Sequence, residues 1–336
     1  MMILTNGLTD VVDEGFLKVA NNLVKRLKNN REDIEVVSYE RQSKISDTFI
    51  RTNLFMSNKC VRDACKRHDD VLYIPFPTKK WVMALRVYLL SKFSKKLRVI
   101  LVLKTPIGLL GKLFLKWSNA EIIVFSRDAA DFYSNIVGSR SVTYLKTGVD
   151  TQKFTPVSKE QSILLKKKYG FDPKRKIILH VGHLNEGRNI RVLTKISDNY
   201  QVLLVTSTFT KGELDIALKK DLLLRSNIKI IEDYIPNIQE IYQLSDAYFF
   251  PVVESGHCID TPLSCLEAAA CGKPVITTTY GEMSQRVGKK GFYLINDFGD
   301  ITINNVISQA IDSEHCSTIE VLDYDWNNAI SYFTQI

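Results

Sequence analysis

The stretch of residues 247–277 constrains the fold of this 336-residue chain more than any other. Residues 247–251 form a short apolar run, which is typical of a buried strand in a parallel sheet. Residues 263–271 are rich in leucine and alanine and predict a helix, and residues 275–277 start another strand. Because parallel strands need a crossover between them, this order of strand, loop, helix, turn and strand predicts an open α/β sheet.

Residues typical of helix ends flank the predicted helix. Asp260 and Thr261 are good N-cap residues, and Pro262 fits the first helical position. Gly272 suits the left-handed backbone conformation that often ends a helix. The loop of residues 254–261 is therefore expected at the carboxyl end of a strand, facing a helix N-terminus. Open α/β sheets bind ligands at that edge, and helix N-termini attract anions.

Glu267 lies within the predicted helix, among alanine and leucine residues. A carboxylate is costly to bury without hydrogen-bond partners, so the helix alone leaves open a partly exposed surface glutamate. The stretch IDTPLSCLEAAACGKPVI resembles the donor-binding signature of family 4 retaining glycosyltransferases, which have the two-domain GT-B fold. That signature usually carries two glutamates, and Glu267 matches the second. The first falls on Ile259, and Asp260 is the nearest carboxylate.

Two domains are expected from the length and from a hydrophobic content of 45%. Strands alternate with helices along the chain, which predicts doubly wound parallel sheets. The resemblance implies two Rossmann-like domains that face each other across a cleft, with a C-terminal helix crossing back to the N-terminal domain. The segment YLKTGVDTQKFTP, residues 144–156, resembles the family's interdomain connection. We expect an acceptor domain over residues 1–148, a sugar-nucleotide domain over 149–320 and a returning helix over 321–336.

The resemblance also implies a donor, a UDP- or GDP-sugar, and roles for individual residues. Arg188 is the late cation of a glycine-containing loop and would bind the diphosphate, for which a guanidinium is well suited. Glu267 would accept hydrogen bonds from the ribose hydroxyls, and Asp260 is the carboxylate expected to contact the sugar. These three are the predicted catalytic residues. The other donor-binding candidates are Gly182, His183, Gly187, Lys211, Tyr234, Ile235, Gly256, His257, Thr261, Pro262 and Leu263.

Plainer interpretations stay open for several of these residues. Arg188 could be a surface loop charge, and Tyr234 could be an exposed turn residue. Family members often carry a histidine after the strand of residues 99–103, where this chain has Lys104 and Thr105. In the family's front-face route a leaving phosphate oxygen takes the acceptor proton, so no enzyme base is needed. The acceptor-side candidates are Gly7, Gly15, Lys104, Thr105 and Arg127, with ordinary loop glycines and a surface arginine as the alternative.

The charge of the chain is unevenly distributed. The formal net charge is +8, and residues 71–120 contain ten Lys and Arg but no Asp or Glu. Trp81, Leu85 and Tyr88 recur at helical spacing among them, so this segment predicts a basic, amphipathic surface for an anionic membrane. The alternative is that the apolar stripe belongs to the core. No nucleic-acid-binding module is recognised, so nucleic acid is not an expected partner.

Apolar runs, cysteines and carboxylate pairs indicate the cellular compartment and whether a metal or cofactor is expected. No uncharged apolar run approaches the roughly 20 residues of a membrane-spanning helix, and no signal peptide is recognised. The six cysteines include no Cys-x2-Cys pair, so neither a zinc site nor a disulfide framework is expected. No metal is expected at the predicted site, which lacks an Asp-x-Asp pair, and no cofactor is expected. These observations predict a cytoplasmic protein, peripheral at the inner face of the cell membrane.

The resulting prediction is a retaining glycosyltransferase of the hexosyltransferase type. Its acceptor would be a saccharide or a lipid-linked saccharide in cell-envelope polysaccharide or glycolipid assembly. The departures from the family signature leave open a non-catalytic partner that scaffolds another glycosyltransferase. Another sugar-nucleotide enzyme of the same fold, such as an epimerase, is a third alternative.

Overall fold

The computed structural model describes residues 1–10, 12, 14–40, 43–51, 59–76, 80–206, 215–313 and 317–334. The chain divides into two compact units. The first unit comprises Met1–Thr147, Ile259–Thr261 and Trp326–Ile336. The second unit comprises Gly148–Cys258 and Pro262–Asp325. The three-residue segment Ile259–Thr261 is thus grouped with the first unit, although the residues on both sides of it belong to the second.

The first unit is built on a parallel sheet of seven strands. Their order is β3-β2-β1-β4-β5-β6-β7, so the direction of strand succession reverses between β1 and β4. The strands are apolar because helices cover both faces of the sheet. They are β1 (Met2–Thr5), β2 (Glu35–Tyr39), β3 (Thr48–Ile50), β4 (Asp70–Ile74), β5 (Lys96–Ile100), β6 (Glu121–Val124) and β7 (Val142–Tyr144).

The second unit contains a parallel sheet of six strands in the order β10-β9-β8-β11-β12-β13. Its strand succession reverses between β8 and β11. Separate apolar clusters fill the space on its two faces. The strands are β8 (Ile177–Val181), β9 (Gln201–Val205), β10 (Ile228–Ile231), β11 (Ala247–Phe250), β12 (Val275–Thr277) and β13 (Phe292–Leu294).

The helices follow the strands in the usual crossover pattern. In the first unit they are α1 (Gly15–Asn30), α2 (Lys59–Arg67), α3 (Lys80–Ser91), α4 (Leu109–Lys116) and α5 (Arg127–Val137). In the second unit they are α6 (Lys159–Lys168), α7 (Ile216–Leu223), α8 (Ile238–Leu244), α9 (Leu263–Ala270) and α10 (Asp300–Asp312). The last helix, α11 (Trp326–Thr334), belongs to the first unit.

Helix α11 makes a polar contact with α1 and a cation–π contact with β5. Arg26 donates a hydrogen bond to the side chain of Asn327 at 3.3 Å. The guanidinium of Arg98, fully buried in β5 and paired with Asp70, lies 4.9 Å from the centre of the Phe333 ring. Buried ion pairs of this kind are tolerated when the charges are also packed and hydrogen-bonded.

The predicted pair of doubly wound parallel sheets is confirmed, and three local predictions differ from the structure. Residues 48–50 form β3, although the segment from residue 49 to 67 reads as mostly helical. Short 3₁₀ helices, Glu186–Arg188 and Ile190–Lys195, replace the α-helix expected after β8. The final helix begins at Trp326 rather than at residue 321, because residues 318–324 form a 3₁₀ helix of the second unit.

Membrane-spanning helices were also sought in the part of the chain that the structure describes. None of its helices has the combination of length and apolar character that crossing a bilayer requires.

Candidate functional site

The carboxyl ends of β8 and β11 carry the predicted donor-binding loops of the second unit. These two strands are neighbours at the point where the strand succession reverses, and open α/β sheets bind ligands at such a point. Gly182 follows β8 and donates its N–H to the carbonyl of Val205 at 2.9 Å. The predicted diphosphate loop therefore begins at a fixed position on the sheet edge.

Arg188 is buried beside Gly182 rather than exposed on a surface loop. Its side chain ends so close to that glycine that a β-carbon there would lie 2.2 Å from Nη1. The side chain of Asn185 caps the 3₁₀ turn by accepting the backbone N–H of Arg188 at 3.2 Å. Only 7% of Arg188 is exposed, so the interpretation as a solvated surface charge is wrong. A buried guanidinium in a built turn is the kind of group that binds a phosphate oxygen pair.

His180 is a neighbour of this arginine that the sequence analysis missed. It lies within β8, fully buried, and its Nδ1–H donates to the carbonyl of Phe249 at 2.8 Å. Burial, opposed by this hydrogen bond and reinforced by Arg188, lowers the pKa of His180 to about 4. The ring is therefore neutral at physiological pH. Its Nε2 has no hydrogen-bond partner among the described residues and lies 3.1 Å from the β-carbon position of Gly182.

Gly187 and His257, both predicted donor-site residues, are in direct contact. A β-carbon on Gly187 would lie 2.0 Å from the nearest atom of the His257 ring. Nε2 of His257 is also 3.4 Å from a carboxylate oxygen of Glu254. The loops after β8 and β11 are therefore in contact at Gly187, where the lack of a side chain leaves space for the His257 ring.

Glu267 is buried in α9, which rules out the partly exposed surface glutamate. Tyr242 of α8, also buried, donates its hydroxyl to Oε2 of Glu267 at 2.6 Å. Burial, together with the neighbouring carboxylate of Glu267, raises the pKa of Tyr242 well above its usual value, so the phenol stays a donor. The buried carboxylate thus has the partner that its burial requires. Tyr242 was missed because it reads as an ordinary core aromatic in a helix.

The charge of Arg188 influences the titration of Cys265, a residue in the first turn of α9. Burial raises the pKa of the Cys265 thiol well above its usual value, and the positive charge of Arg188 acts in the opposite direction. Burial raises the pKa of Tyr248 well above its usual value, and the charge of Arg188 again acts in the opposite direction. The ring centre of Tyr248 is 5.9 Å from that of Tyr242. The predicted cation, the start of the predicted anion-binding helix and the Tyr242–Glu267 pair therefore lie in one region of the second unit.

The start of α9 corrects the predicted N-cap. Pro262 is itself the N-cap residue, without a side-chain hydrogen bond, and Leu263 is the first helical residue. Thr261 instead donates its hydroxyl to the carbonyl of Phe125. Asp260 accepts the backbone N–H of Lys104 with its carboxylate. Both side chains are thus engaged in the first unit, which is why neither can cap the helix.

Burial raises the pKa of Asp260 to about 7, although the Lys104 N–H and the nearby Lys104 side chain lower it. The backbone N–H of Asp260 donates to the carbonyl of Val102 at 3.0 Å. This carboxylate is consequently a buried, hydrogen-bonded group. Its predicted contact with the donor sugar stays a prediction.

The remaining donor-site candidates take no part in the contacts described above, or they lie outside the described residues. Tyr234 follows β10 and is exposed, whereas Ile235 packs against the core of the second unit. Gly256 has a φ of +94°, which favours glycine, and has open space around its α-carbon. His183 is half-buried in the loop after β8. Lys211 lies outside the described residues.

The acceptor-side candidates line parts of the first unit. Gly7 is packed against α1, because a β-carbon there would lie 2.5 Å from the ring of Phe16. Gly15 begins α1 and contacts Ile259. Lys104 pairs with Asp128, and the N–H of Thr105 is 3.4 Å from the hydroxyl of Tyr133. The guanidinium of Arg127 lies 5.1 Å from the centre of the Tyr144 ring. Their roles stay predictions.

The described residues contain no group of three or more His, Cys, Asp or Glu side chains that could hold a metal ion.

Comparisons with known proteins bear on both units. Residues 175–309 match a family described as glycosyl transferases group 1. A glycosyltransferase of Rickettsia africae superposes with a TM-score of 0.79 at 16% identity, covering 99% of this chain and 97% of that one. The HepE protein of Anabaena, in complex with UDP and glucose, superposes with a TM-score of 0.76 at 13% identity, covering 99% and 98%.

A UDP-GlcNAc 2-epimerase of Methanocaldococcus jannaschii is also similar, with a TM-score of 0.59 at 9% identity and coverage of 99% and 98%. No curated protein sequence matches the chain. At such low identities the structural similarities show the fold, which is that of the GT-B glycosyltransferases. The family match over residues 175–309 supports glycosyl transfer as the activity.

Proposed function

We propose that the chain is a retaining glycosyltransferase that moves a hexose from a UDP- or GDP-sugar to a saccharide or lipid-linked acceptor. The observation that carries this proposal is the buried guanidinium of Arg188, held beside Gly182 at the carboxyl end of β8, the neighbour of β11, after which α9 follows in the chain. Two independent sources of positive potential, a guanidinium and a helix N-terminus, suit a diphosphate.

The neutral state of His180 strengthens this assignment. A protonated imidazole at this position would repel Arg188, and its lowered pKa of about 4 removes that repulsion at physiological pH. The full charge of Arg188 is then available to the donor. Stabilising the negative charge that develops on the departing diphosphate is the largest contribution expected from such a site.

Glu267 and Tyr242 would hold the nucleoside. In the buried pair, Tyr242 occupies Oε2 of Glu267 and fixes the orientation of the carboxylate. An oriented carboxyl group of this kind accepts hydrogen bonds from vicinal hydroxyls, such as those of a ribose. HepE of Anabaena has been solved with UDP, with UDP and glucose, and with UDP-glucose, which supports a sugar nucleotide as the donor class.

The acceptor side of the proposal includes an anionic membrane surface. Not all the basic residues of the segment 71–120 reach the surface. Arg98 is fully buried, and only 13% of the Arg86 side chain is exposed. One exposed part of the segment is a patch on α3, α4 and the residue that follows α4, hereafter the α3–α4 patch. Its large apolar side chains are Trp81, Leu109, Leu110 and Trp117, of which 52%, 75%, 65% and 54% are exposed.

Lysines surround these apolar side chains. Lys112 and Lys116 are exposed on α4, and Nζ of Lys92 lies 4.7 Å from the centre of the Tyr88 ring. The Tyr88 ring centre is in turn 6.4 Å from that of Trp117. Exposed tryptophan and leucine beside lysine suit the interface of an anionic leaflet. This surface supports a lipid-linked acceptor and a place in cell-envelope polysaccharide or glycolipid assembly, at the inner face of the membrane.

Thermal unfolding with UDP, GDP and their sugars tests the donor proposal. We expect one nucleotide to stabilise the wild-type protein, and Arg188→Ala to weaken its binding by at least about tenfold, or 1.4 kcal/mol. Arg191→Ala is the matched control, because Arg191 is exposed and pairs with Glu186 and Asp221. An Arg188→Ala variant that responds like the wild type would refute the assignment of Arg188.

The products separate the proposal from its alternatives. A retaining transferase releases the sugar in the anomeric configuration of the donor, which NMR detects during slow hydrolysis of the donor without acceptor. An epimerase would instead return a changed sugar. If no nucleotide stabilises the wild-type protein, a non-catalytic scaffold becomes the better interpretation.

A further inference from the structure

We infer that His180 is a second phosphate-binding residue of the donor site, and that it takes up a proton when the diphosphate of a sugar nucleotide binds beside Arg188. This inference rests on the proposed glycosyltransferase function and adds a residue within a strand to the predicted loop residues. Three features carry it: the position of His180 between two strands, the fixed tautomer of its ring, and two buried nitrogen atoms next to Gly182 that have no partner among the described residues.

His180 lies where the ladder between β8 and β11 ends. The last residue pair of that ladder is Leu179 with Tyr248. At the next residue of each strand the contact is made by the His180 ring, whose Nδ1 is 2.8 Å from the carbonyl oxygen of Phe249. The strand succession of the sheet reverses between β8 and β11, so the ring lies at the position where open α/β sheets bind ligands.

The hydrogen bond to Phe249 fixes which ring nitrogen of His180 carries the proton. A carbonyl oxygen only accepts, so Nδ1 is the protonated nitrogen of the neutral ring. Nε2 is then a bare acceptor, and it is buried without a hydrogen-bond partner among the described residues. Because burial of an acceptor that makes no hydrogen bond is unfavourable, this atom points to a ligand.

Nε2 of His180 and the guanidinium of Arg188 converge on one point. The β-carbon position of Gly182 lies 3.1 Å from Nε2 of His180 and 2.2 Å from Nη1 of Arg188. Nε of Arg188 is likewise buried and has no partner in the part of the chain that the structure describes. A phosphate group bound by this guanidinium is therefore expected next to Nε2.

A phosphate oxygen and a bare Nε2 are both acceptors, so they form a hydrogen bond only when Nε2 carries a proton. In the free protein, burial lowers the pKa of His180 to about 4, and the charge of Arg188 adds to this, although the hydrogen bond to Phe249 opposes it. A sugar nucleotide brings two negative charges to one guanidinium, which reverses the sign of the charge beside the ring. A neighbouring negative charge raises the pKa of an imidazole. The imidazolium then donates to the phosphate through Nε2, as a second cation.

Other ionisable groups lie on the elements around His180. Tyr248 of β11 stacks on its ring with the centres 6.3 Å apart, and burial keeps the phenol protonated by raising its pKa. On β9, the residue opposite His180 is Leu204, which is apolar. The charged or titratable residues of the surrounding loops and of α9 are His183, Glu254, His257, Cys265, Glu267 and Lys211, the last outside the described residues. Histidine ordinarily titrates between pH 5 and 8, so the test must distinguish His180 from the two loop histidines.

Calorimetric titration with UDP-glucose, UDP-galactose, UDP-N-acetylglucosamine and GDP-mannose, in buffers of different ionisation enthalpy, measures the proton uptake. Sugar nucleotides are used because the terminal phosphate of UDP or GDP itself titrates near pH 6. We expect at least one of them to bind with uptake of at least about half a proton at pH 6.0, and with at least about twofold higher affinity than at pH 7.5. In His180→Gln the uptake should fall by that amount, and the affinity at pH 6.0 should fall by at least about twofold.

The imidazole itself is followed by long-range ¹H–¹⁵N NMR of the wild-type protein, which has five histidines. At pH 6.0 the Nε2 signal of His180 should move from the position of a bare nitrogen to that of a protonated one when the sugar nucleotide is added. His180→Gln assigns the signal. If that variant does not fold, the ring is recognised in the wild type by its Nδ1–H tautomer.

His68→Gln is the matched control, because His68 follows α2 in the first unit and pairs with Glu35 at 2.7 Å. It should keep the wild-type proton uptake and affinity. Binding of a sugar nucleotide with a bare Nε2, or with an uptake that is unchanged in folded His180→Gln, would overturn the inference and leave the proposed function standing. A wild-type protein that binds none of the four sugar nucleotides would count against the proposed function and overturn the inference with it.

Discussion

In the candidate donor site, Gly182 and Gly187 leave space for the side chains of Arg188 and His257. A β-carbon on Gly182 would collide with the Arg188 guanidinium, and one on Gly187 would collide with the His257 ring. Neither glycine has a positive φ. The requirement is therefore space for a neighbouring side chain, rather than a backbone conformation closed to other residues.

A methyl group added at Gly182 should consequently displace the Arg188 guanidinium without disturbing the sheet. In Gly182→Ala the new β-carbon would occupy a point 2.2 Å from Nη1 of Arg188, so the flexible guanidinium must move. We expect the affinity for the preferred nucleotide to fall by at least about tenfold, measured by calorimetric titration. The unfolding temperature should change little, because the clash is with the end of a flexible side chain.

Gly108→Ala is the control for that substitution. Gly108 has a φ of −64° and nothing within 4 Å of its β-carbon position, so affinity should stay at the wild-type value. Because Gly108 is the N-cap residue of α4, where alanine is disfavoured, stability should fall slightly. Wild-type affinity in Gly182→Ala would mean that the displaced guanidinium does not bind the nucleotide.

At the scale of elements, the start of α9 shows how the sequence pattern and the structure diverge. Asp260 and Thr261 have the residue types of an N-cap, yet both side chains bind the backbone of the first unit. Helix α9 consequently starts with no capping side chain, and its first N–H groups are not occupied by one. A helix end of this kind is better suited to an anion than a capped one.

The buried state of Asp260 gives a pH-dependent prediction. Its pKa rises to about 7 on folding, from an unfolded value near 3.8, chiefly through burial. The folded protein therefore binds more protons than the unfolded chain between these values, and this residue lowers stability as pH rises from about 4 to 7. Asp260→Asn does not titrate. We expect its stability relative to the wild type to increase over this interval, by up to roughly 4 kcal/mol.

Denaturant unfolding of both proteins at pH 4.5 and pH 7.5 measures this difference. Comparing the variant with the wild type separates Asp260 from His180, whose pKa of about 4 makes stability rise with pH between about 4 and 6.5. A stability difference that is the same at the two pH values would contradict an elevated pKa for Asp260.

Much of the second unit could be predicted from local patterns. The apolar runs of β8, β11 and β12 are short and bounded by glycine or proline, so their strands and the helix between the last two were evident. Gly272, predicted to end α9, has a φ of +73°. In contrast, the sequence predicts helix from residue 49 onward, where β3 lies, because three residues carry too little periodicity to separate a strand from a helix.

The residues that sequence reasoning missed are those whose meaning depends on distant partners. His180 and Tyr242 lie in apolar elements and look like core residues, and only the fold brings them to Arg188 and Glu267. The hydrogen bond from Asn6, after β1, to Glu40, after β2, depends on strand order and on the left-handed backbone of Glu40, neither of which local residue types encode. Strand-end glycines and cations, by contrast, could be located because their positions follow from the pattern of strands.

At the scale of the whole molecule, the net charge of +8 gives only a general affinity for anionic surfaces. The excess of positive charge is concentrated in residues 71–120, and the structure shows which basic residues of this segment reach the surface. Arg98 is paired and fully buried, whereas the lysines of α4 are exposed beside apolar side chains. A membrane contact is therefore expected from the α3–α4 patch rather than from the basic segment as a whole.

Co-sedimentation with phosphatidylglycerol-containing vesicles tests this last prediction. Each lysine near an anionic surface contributes about 1 kcal/mol, so Lys112→Glu/Lys116→Glu should lower the partition coefficient by at least about tenfold at low salt. Leu109→Ser/Leu110→Ser should lower it as well, and this loss should persist at higher salt because apolar insertion is not screened. The matched controls are Lys289→Glu/Lys290→Glu and Ile319→Ser/Leu322→Ser, exposed residues of the second unit. If controls and patch variants bind equally, net charge alone accounts for membrane binding and the α3–α4 patch has no special role.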